Sequence, residues 1–134
     1  MGGVNRSAIA AVALGGFAGT AARFGVGELF PGAWPVATFA INVVGAFLLG
    51  LLLEVLVRLG PDTSWRRLLR LGVGTGALGS FTTYSALAVD ADLLWRDGRP
   101  ELAIGYAVGT MLVGLAATAL GVVAGSARRR RARR

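Results

Sequence analysis

The chain has 134 residues, of which 54% are hydrophobic and 16% are charged, and its mean hydropathy is +0.64. A soluble domain has about a quarter of its residues charged, so this composition predicts an integral membrane protein. Cysteine, histidine and lysine are all absent, and the net charge of +7 comes from arginine. Disulfides, thiol chemistry, Cys/His metal sites and serine–histidine catalysis are therefore excluded, and we predict that the chain is not an enzyme.

Four apolar segments are long enough, or nearly so, to cross a bilayer core. We predict one transmembrane domain, residues 1–134, with an all-α fold of four membrane-spanning helices. The predicted spans are residues 7–30, 34–57, 71–95 and 101–125, and an arginine-rich tail follows at 128–134.

The first predicted span contains Gly15 and Gly19, a GxxxG pair that favours close helix packing. Arg23 interrupts its apolar run. An arginine at this depth either snorkels to the interface or draws anions toward a vestibule. Glu28 lies near the membrane surface and is expected to be solvated.

The second predicted span contains Asn42 deep in apolar sequence. A buried amide needs partners, so Asn42 either joins two helices or lines a polar path. Thr38 lies four residues earlier on the same helix face. Near the end of the span, Glu54 and Arg58 are spaced to form an ion pair.

The third predicted span contains the least typical stretch of the chain, residues 72–87, which carries four glycines and six hydroxyl side chains. Glycine weakens a helix, and hydroxyl groups offer hydrogen bonds that lipid does not return. The mixture predicts a helix that is broken near its middle and faces protein or a pore. Asp90 and Asp92 follow, and we interpret them as solvated charges near the helix end.

The fourth predicted span places Tyr106, Thr110, Gly114 and Thr118 at intervals of four residues, which forms one polar and small stripe. Gly105 and Gly109 add a second GxxxG pair. Either a polar track or a packing face explains the stripe. The tail has no interleaved aromatic residues, so anionic lipids are its expected partner, and nucleic acid is not.

Arginine is distributed unequally across the predicted membrane. Eleven of the fourteen arginines fall on the side of the two termini, and two fall on the other side. Positively charged loops stay in the cytoplasm. We therefore predict a multi-pass protein of the cell membrane, with cytoplasmic N- and C-termini and a single orientation.

Three motifs, in order and on separate spans, resemble the CrcB/Fluc fluoride channel family. GGFAGTAARF at 15–24 resembles the family's GGxxGAxxR, and ATFAINVVGAFLLG at 37–50 is similar to its GTxxVNxxGxFxxG. GTGALGSFTTYS at 74–85 resembles its GxxGGxTTFS, and the stripe from Tyr106 is similar to its fourth-helix track.

The resemblance implies an antiparallel dimer of four-span subunits that exports fluoride from the cytoplasm and so relieves its toxicity. Arg23 would belong to the vestibule, and the backbone carbonyls of Gly79 and Thr82 would help to bind a structural sodium ion. The implied fluoride pore residues are Asn42, Thr83, Tyr84, Ser85, Leu87, Tyr106 and Thr110.

The chain departs from the family pattern within the segment TTYSAL at 82–87, where the family has TTFSTF. Tyr84 keeps an aromatic ring, whereas Leu87 has none, although the two are spaced to share a helix face. The departure and the arginine bias favour a heterodimer with an oppositely oriented paralogue over a pair of identical copies. The alternative function is a small multidrug-type four-helix exporter, a class that depends on a membrane-embedded glutamate in its first span.

Overall fold

The computed structural model describes residues 5–30 and 34–132, with side chains described as far as residue 127. All regular structure in these residues is helical. The helices are α1 (Arg6–Leu29), α2 (Val36–Leu59), α3 (Ser64–Leu69), a π-helical segment (Arg70–Leu78), α4 (Gly79–Phe81), α5 (Tyr84–Arg96) and α6 (Pro100–Ala132).

Three of the described helices are long and apolar enough to cross a membrane, namely α1, α2 and the Pro100–Ala127 part of α6. Their most apolar windows have mean hydropathies of 1.5, 2.4 and 2.0, yet the chain buries only a small part of each. Apolar helices that stay exposed in their own chain are typical of proteins whose solvent is lipid. The all-helical membrane class predicted from composition is confirmed.

The helix boundaries differ from the predicted ones in two places. The predicted third span, 71–95, is built from the π-helical segment, α4 and α5, and helix α3 runs directly into the π-helical segment. Helix α6 extends beyond residue 125 through the arginines to Ala132. The expected contacts of the tail with lipid involve side chains outside the described ones, and Arg133 and Arg134 lie outside the described residues altogether.

Glycine allows two pairs of helices to approach closely. A Cβ atom on Gly15 would lie 1.8 Å from the carbonyl oxygen of Gly72, and one on Gly19 would lie 2.0 Å from that of Ala77. The first GxxxG pair therefore packs α1 against the π-helical segment, as predicted. Helices α2 and α6 meet in the same way, since Cβ atoms on Gly50 and Gly121 would lie 2.3 and 2.2 Å from carbonyl oxygens of the other helix.

The second GxxxG pair does not pack within the chain. Beyond the adjacent turns of α6 itself, no heavy atom of the described residues lies within 4 Å of a Cβ built on Gly105 or Gly109. The buried residues of α6 include Ala103, Thr110 and Ala117, which recur every seven residues and mark the side that faces α2 and α5. The two glycines lie off this stripe, so a packing face at these positions is wrong for the single chain.

Candidate functional site

The helical path is interrupted between α4 and α5, and Asn42 of α2 closes the interruption. Thr82 and Thr83 have extended backbone, with φ/ψ of −72°/154° and −148°/118°. The side-chain amide of Asn42 donates to the Thr83 carbonyl oxygen at 3.0 Å, and its Oδ1 accepts from the Thr83 N–H at 2.7 Å. One amide side chain therefore bonds both backbone groups of Thr83, its N–H and its carbonyl.

These bonds change the partners of two neighbouring carbonyl groups. In a continuous α-helix the N–H of Thr83 would bond to the carbonyl of Gly79, and the N–H of Ala86 would bond to that of Thr82. Here the Thr83 N–H goes to Asn42, and the Ala86 N–H goes to Thr83 Oγ1 at 3.1 Å. The interruption therefore releases the carbonyl oxygens of Gly79 and Thr82 from their helical donors.

Thr83 also begins the next helix. Its side chain is buried and caps α5 through the bond from Ala86, and its hydroxyl lies 3.2 Å from that of Ser85. Thr82 instead donates to the Leu78 carbonyl at 2.9 Å, and its methyl group lies against Gly45 of α2. A Cβ on Gly45 would lie 2.2 Å from that methyl group, so the small residue lets α2 approach the interruption.

Tyr84 and Leu87 lie in opposite environments. The side chain of Tyr84 is 74% exposed, whereas Leu87 is 6% exposed and belongs to the core of the chain. Both residues belong to α5, of which Tyr84 is the first residue, and only Leu87 packs within the chain. Ser85 beside it is also exposed.

Asp90 is buried, whereas the sequence predicted a solvated charge. It is 6% exposed and accepts hydrogen bonds from Trp34 Nε1 at 2.6 Å and from the Tyr106 hydroxyl at 3.1 Å. The interpretation of Asp90 as a solvated charge is therefore wrong. Asp92 fits that interpretation, since it is exposed and pairs with Arg96. The signal that identifies Asp90 is its place between Leu87 and Leu94, the buried residues of α5.

The hydrogen bond to Asp90 occupies the hydroxyl proton of Tyr106. The Tyr106 hydroxyl proton is directed at the carboxylate of Asp90. Thr110 is buried, and its hydroxyl donates to the Tyr106 carbonyl at 2.7 Å. Two hydroxyl groups of the predicted polar track, those of Tyr106 and Thr110, therefore donate their protons to acceptors within the chain.

The remaining predicted residues take simpler positions. Arg23 is half-buried in α1, and no hydrogen bond or ion pair joins it to another described residue. Glu28 is exposed at the end of α1, as expected, so α1 buries no glutamate of the kind that a multidrug-type exporter uses. Glu54 pairs with Arg58, which confirms that prediction.

The interruption presents backbone carbonyl groups and hydroxyl groups to a ligand, and few charged side chains. Among the described residues, no three acidic side chains lie together as a metal site. The groups gathered at the interruption are an amide, hydroxyls, an exposed aromatic ring and two released carbonyls. Compact donors and ring edges suit a small dehydrated anion, and carbonyl oxygens suit a hard cation.

Three relatives are similar over most of this chain. Fluoride-specific ion channel FluC 3 of Streptomyces avermitilis is 45% identical over 125 residues, which cover 91% of this chain and 60% of that protein. FluC 2 of Leifsonia xyli is 48% identical over 87% of this chain and 81% of its own length. FluC of Paracoccus denitrificans is 42% identical over 85% and 90%.

The family comparison covers the interruption and the helices around it. The pattern described as CrcB-like protein, Camphor Resistance (CrcB), matches residues 10–122, which include every predicted pore residue. The resemblance noted from the three motifs is confirmed, and the chain belongs to the CrcB family.

Proposed function

We propose that this chain is a subunit of a fluoride-specific ion channel that exports fluoride from the cytoplasm. The observation that carries the proposal is the interruption at Thr82 and Thr83, closed by Asn42, in a chain whose relatives are named fluoride-specific ion channels. Those names describe a transporter class and not an enzyme class, in agreement with the sequence analysis.

Fluoride is small and strongly hydrated, so a pathway must replace its water with compact donors. Asn42 supplies one: an amide nitrogen carries two protons, and the Thr83 carbonyl takes one of them. The hydroxyl of Ser85 and the ring edge of Tyr84 supply further positive dipoles on the exposed side of the interruption. Leu87 is buried and has no ring, so it adds no such dipole where the family pattern has phenylalanine.

The segment from the π-helical segment through α5 is proposed as the third span of the four, broken at Thr82 and Thr83. Residues 71–89 carry no charge, and α1 and α6 pack against its two halves. Non-helical backbone at membrane depth requires protein or a cavity around it. Asn42 and Gly45 of α2 provide such surroundings.

The carbonyl oxygens of Gly79 and Thr82 would hold a sodium ion. Their release from helical donors supports this proposal, because a bound cation satisfies carbonyl groups that the helix leaves unbonded. When bound, the ion supplies a positive charge that holds these carbonyls in place. Gly79 is exposed, so the ion would lie near a second subunit.

The partner is a second channel subunit in the opposite orientation. Tyr84 and Thr75 are exposed at the level of apolar helices, where lipid would leave their hydroxyls unpaired. Gly105 and Gly109 leave a further part of α6 open for close approach. The arginine bias allows only one orientation, so the partner is a paralogue with the opposite bias.

Fluoride efflux from liposomes tests the function and the pairing together. We expect fluoride flux, without chloride flux, from liposomes that contain this chain and its paralogue, and little flux from either alone. Full flux from this chain alone would keep the fluoride function and exclude the heterodimer. Absence of flux in every combination, with both proteins correctly folded, would exclude the function.

A further inference from the structure

A cavity of about 220 Å³ lies between the end of α2 and the connector that follows it. Its apolar side consists of Leu53, Leu56 and Val57 in the last turns of α2. Its polar side consists of Asp62, Arg66 and Arg70. A cavity with one apolar and one basic side suits an amphipathic ligand and not a fully polar one.

The cavity lies where a membrane-spanning helix ends. Helix α2 is the most apolar of the three long helices and stops at Leu59, directly before the connector. Trp65 of α3 is 52% exposed, and the guanidinium of Arg66 lies 5.8 Å from its ring centre. Exposed tryptophan beside arginine is typical of the headgroup level of a membrane.

The two arginines are held by bonds that leave donors unused. Arg66 donates to the carbonyl oxygens of Pro61 and Leu59 at 2.8 and 2.9 Å, which fixes the plane of its guanidinium. Arg70 donates through Nε and Nη2 to a single oxygen of Asp62, at 3.1 and 2.8 Å. A guanidinium has five N–H groups, so each arginine keeps N–H groups without a partner among the described residues.

The charge around the cavity favours an anion. Arg66 and Arg70 face one carboxylate, that of Asp62, and Arg67 adds a further positive charge nearby. The hydrogen bond from Arg70 lowers the pKa of Asp62, so this carboxylate is ionised at neutral pH and occupies Arg70. An incoming phosphate would compete with Asp62 for the same guanidinium.

We propose that this cavity binds an anionic phospholipid, with the phosphate at Arg66 and Arg70 and an acyl chain along Leu53 and Val57. Arginine binds phosphate through paired N–H groups, and the apolar side gives the acyl chain a surface that a free anion would not use. The inference rests on the membrane placement of the chain and is independent of fluoride conduction. It is also separate from the arginine tail.

Native mass spectrometry of the full chain, released from detergent with added lipid, tests the proposal. We expect phosphatidylglycerol to bind more tightly than phosphatidylcholine. Arg70→Gln should weaken phosphatidylglycerol binding roughly tenfold, because it removes charge-assisted hydrogen bonds to the lipid phosphate. Asp62→Asn should strengthen it, because it releases Arg70 from its internal partner.

Arg67→Gln is the matched control, since Arg67 is an exposed residue of α3, next to Arg66, and does not line the cavity. It should leave the affinity within about twofold of the wild-type value, because an exposed charge that does not contact the ligand contributes little. An equal loss in Arg67→Gln and Arg70→Gln would overturn the proposal in favour of diffuse attraction. Equal binding of the two lipids would overturn it, and so would displacement of phosphatidylglycerol by inorganic phosphate at equal concentration.

The double variant Asp62→Asn/Arg70→Gln covers the case in which Arg70→Gln misfolds, because it removes both members of the exposed ion pair. We expect it to fold, to bind phosphatidylglycerol more weakly than Asp62→Asn, and to keep the thermal midpoint of the wild-type chain. Binding as tight as that of Asp62→Asn would show that Arg70 does not contact the lipid, which would overturn the proposal.

Discussion

Asn42 bonds to the interruption through both the nitrogen and the oxygen of its amide. A side chain of similar size without an amide, such as that of aspartate, does not fill the same role. An aspartate at the same position would still accept from the Thr83 N–H, but it would not donate to the Thr83 carbonyl. It would also place a negative charge where the proposed pathway carries an anion. Asn42→Asp therefore separates the donor role from the size of the side chain.

We expect Asn42→Asp to reduce fluoride efflux by at least about fivefold, since one unmade buried hydrogen bond costs about 1–3 kcal/mol. A fluoride electrode measures the efflux from liposomes that contain the conducting assembly. Asn5→Asp is the matched control, because Asn5 is exposed and only caps α1, a role that aspartate also fills. Unchanged efflux in Asn42→Asp would contradict the assigned role.

Asp90 joins three parts of the chain, because Trp34 precedes α2, Asp90 belongs to α5 and Tyr106 belongs to α6. Asp90→Ala would leave the indole N–H and the phenol without their acceptor. We expect a loss of about 1–3 kcal/mol in the free energy of unfolding, seen as a lower thermal midpoint in detergent. Asp92→Ala should change the free energy by less than about 1 kcal/mol, because its ion pair with Arg96 is exposed. Equal shifts for the two variants would contradict the buried role of Asp90.

At the scale of helices, the positions of glycine determine which pairs of helices pack closely. Helix α1 packs on the π-helical segment through Gly15 and Gly19, whereas Gly25 and Gly27 further along α1 have no described atom within 4 Å of a built Cβ. One helix thus carries both contact glycines and exposed ones. The contrast allows the packing role to be tested with one type of substitution.

Gly15→Ala would place a methyl group 1.8 Å from the Gly72 carbonyl oxygen, which forces the two helices apart. We expect a destabilisation of about 1–3 kcal/mol, as for other overpacked cores, measured as a fall in the thermal midpoint. Gly25→Ala on the same helix should be tolerated without loss. A Gly15→Ala protein as stable as Gly25→Ala would show that the close approach is not required.

At the scale of the whole molecule, the distribution of arginine determines the proposed orientation. In the proposed four-span topology, eleven arginines lie on the side of the termini and two on the other side. Because basic loops resist translocation, we expect a reporter fused to residue 134 to be cytoplasmic in essentially all copies. Protease protection in intact cells and in inverted vesicles measures this. Equal exposure of the reporter on both sides would support a homodimer.

The sequence predicted the class and the family of this chain because both depend on local features. Apolar length shows in residues 36–59 and 102–127 without any tertiary contact, and the motifs at 37–50 and 74–85 are contiguous. The packing of Gly15 and Gly19 was predictable for the same reason, since a GxxxG pair is read within one helix. The opposite outcome for Gly105 and Gly109 shows the limit, because the identical motif does not say which side of a helix meets a neighbour.

The sequence by itself determined a helical membrane protein of the CrcB family, with a glycine- and hydroxyl-rich segment between its apolar helices. Only the tertiary structure decided which polar groups are used within the chain. The Asn42 and Thr83 partners lie 41 residues apart, and Trp34 and Asp90 lie 56 apart. Such pairs form when helices dock, and docking depends on contacts between segments that no local pattern specifies. For that reason the sequence predicts that Asp90 is a solvated charge, whereas in the folded chain it is a buried hydrogen-bond acceptor.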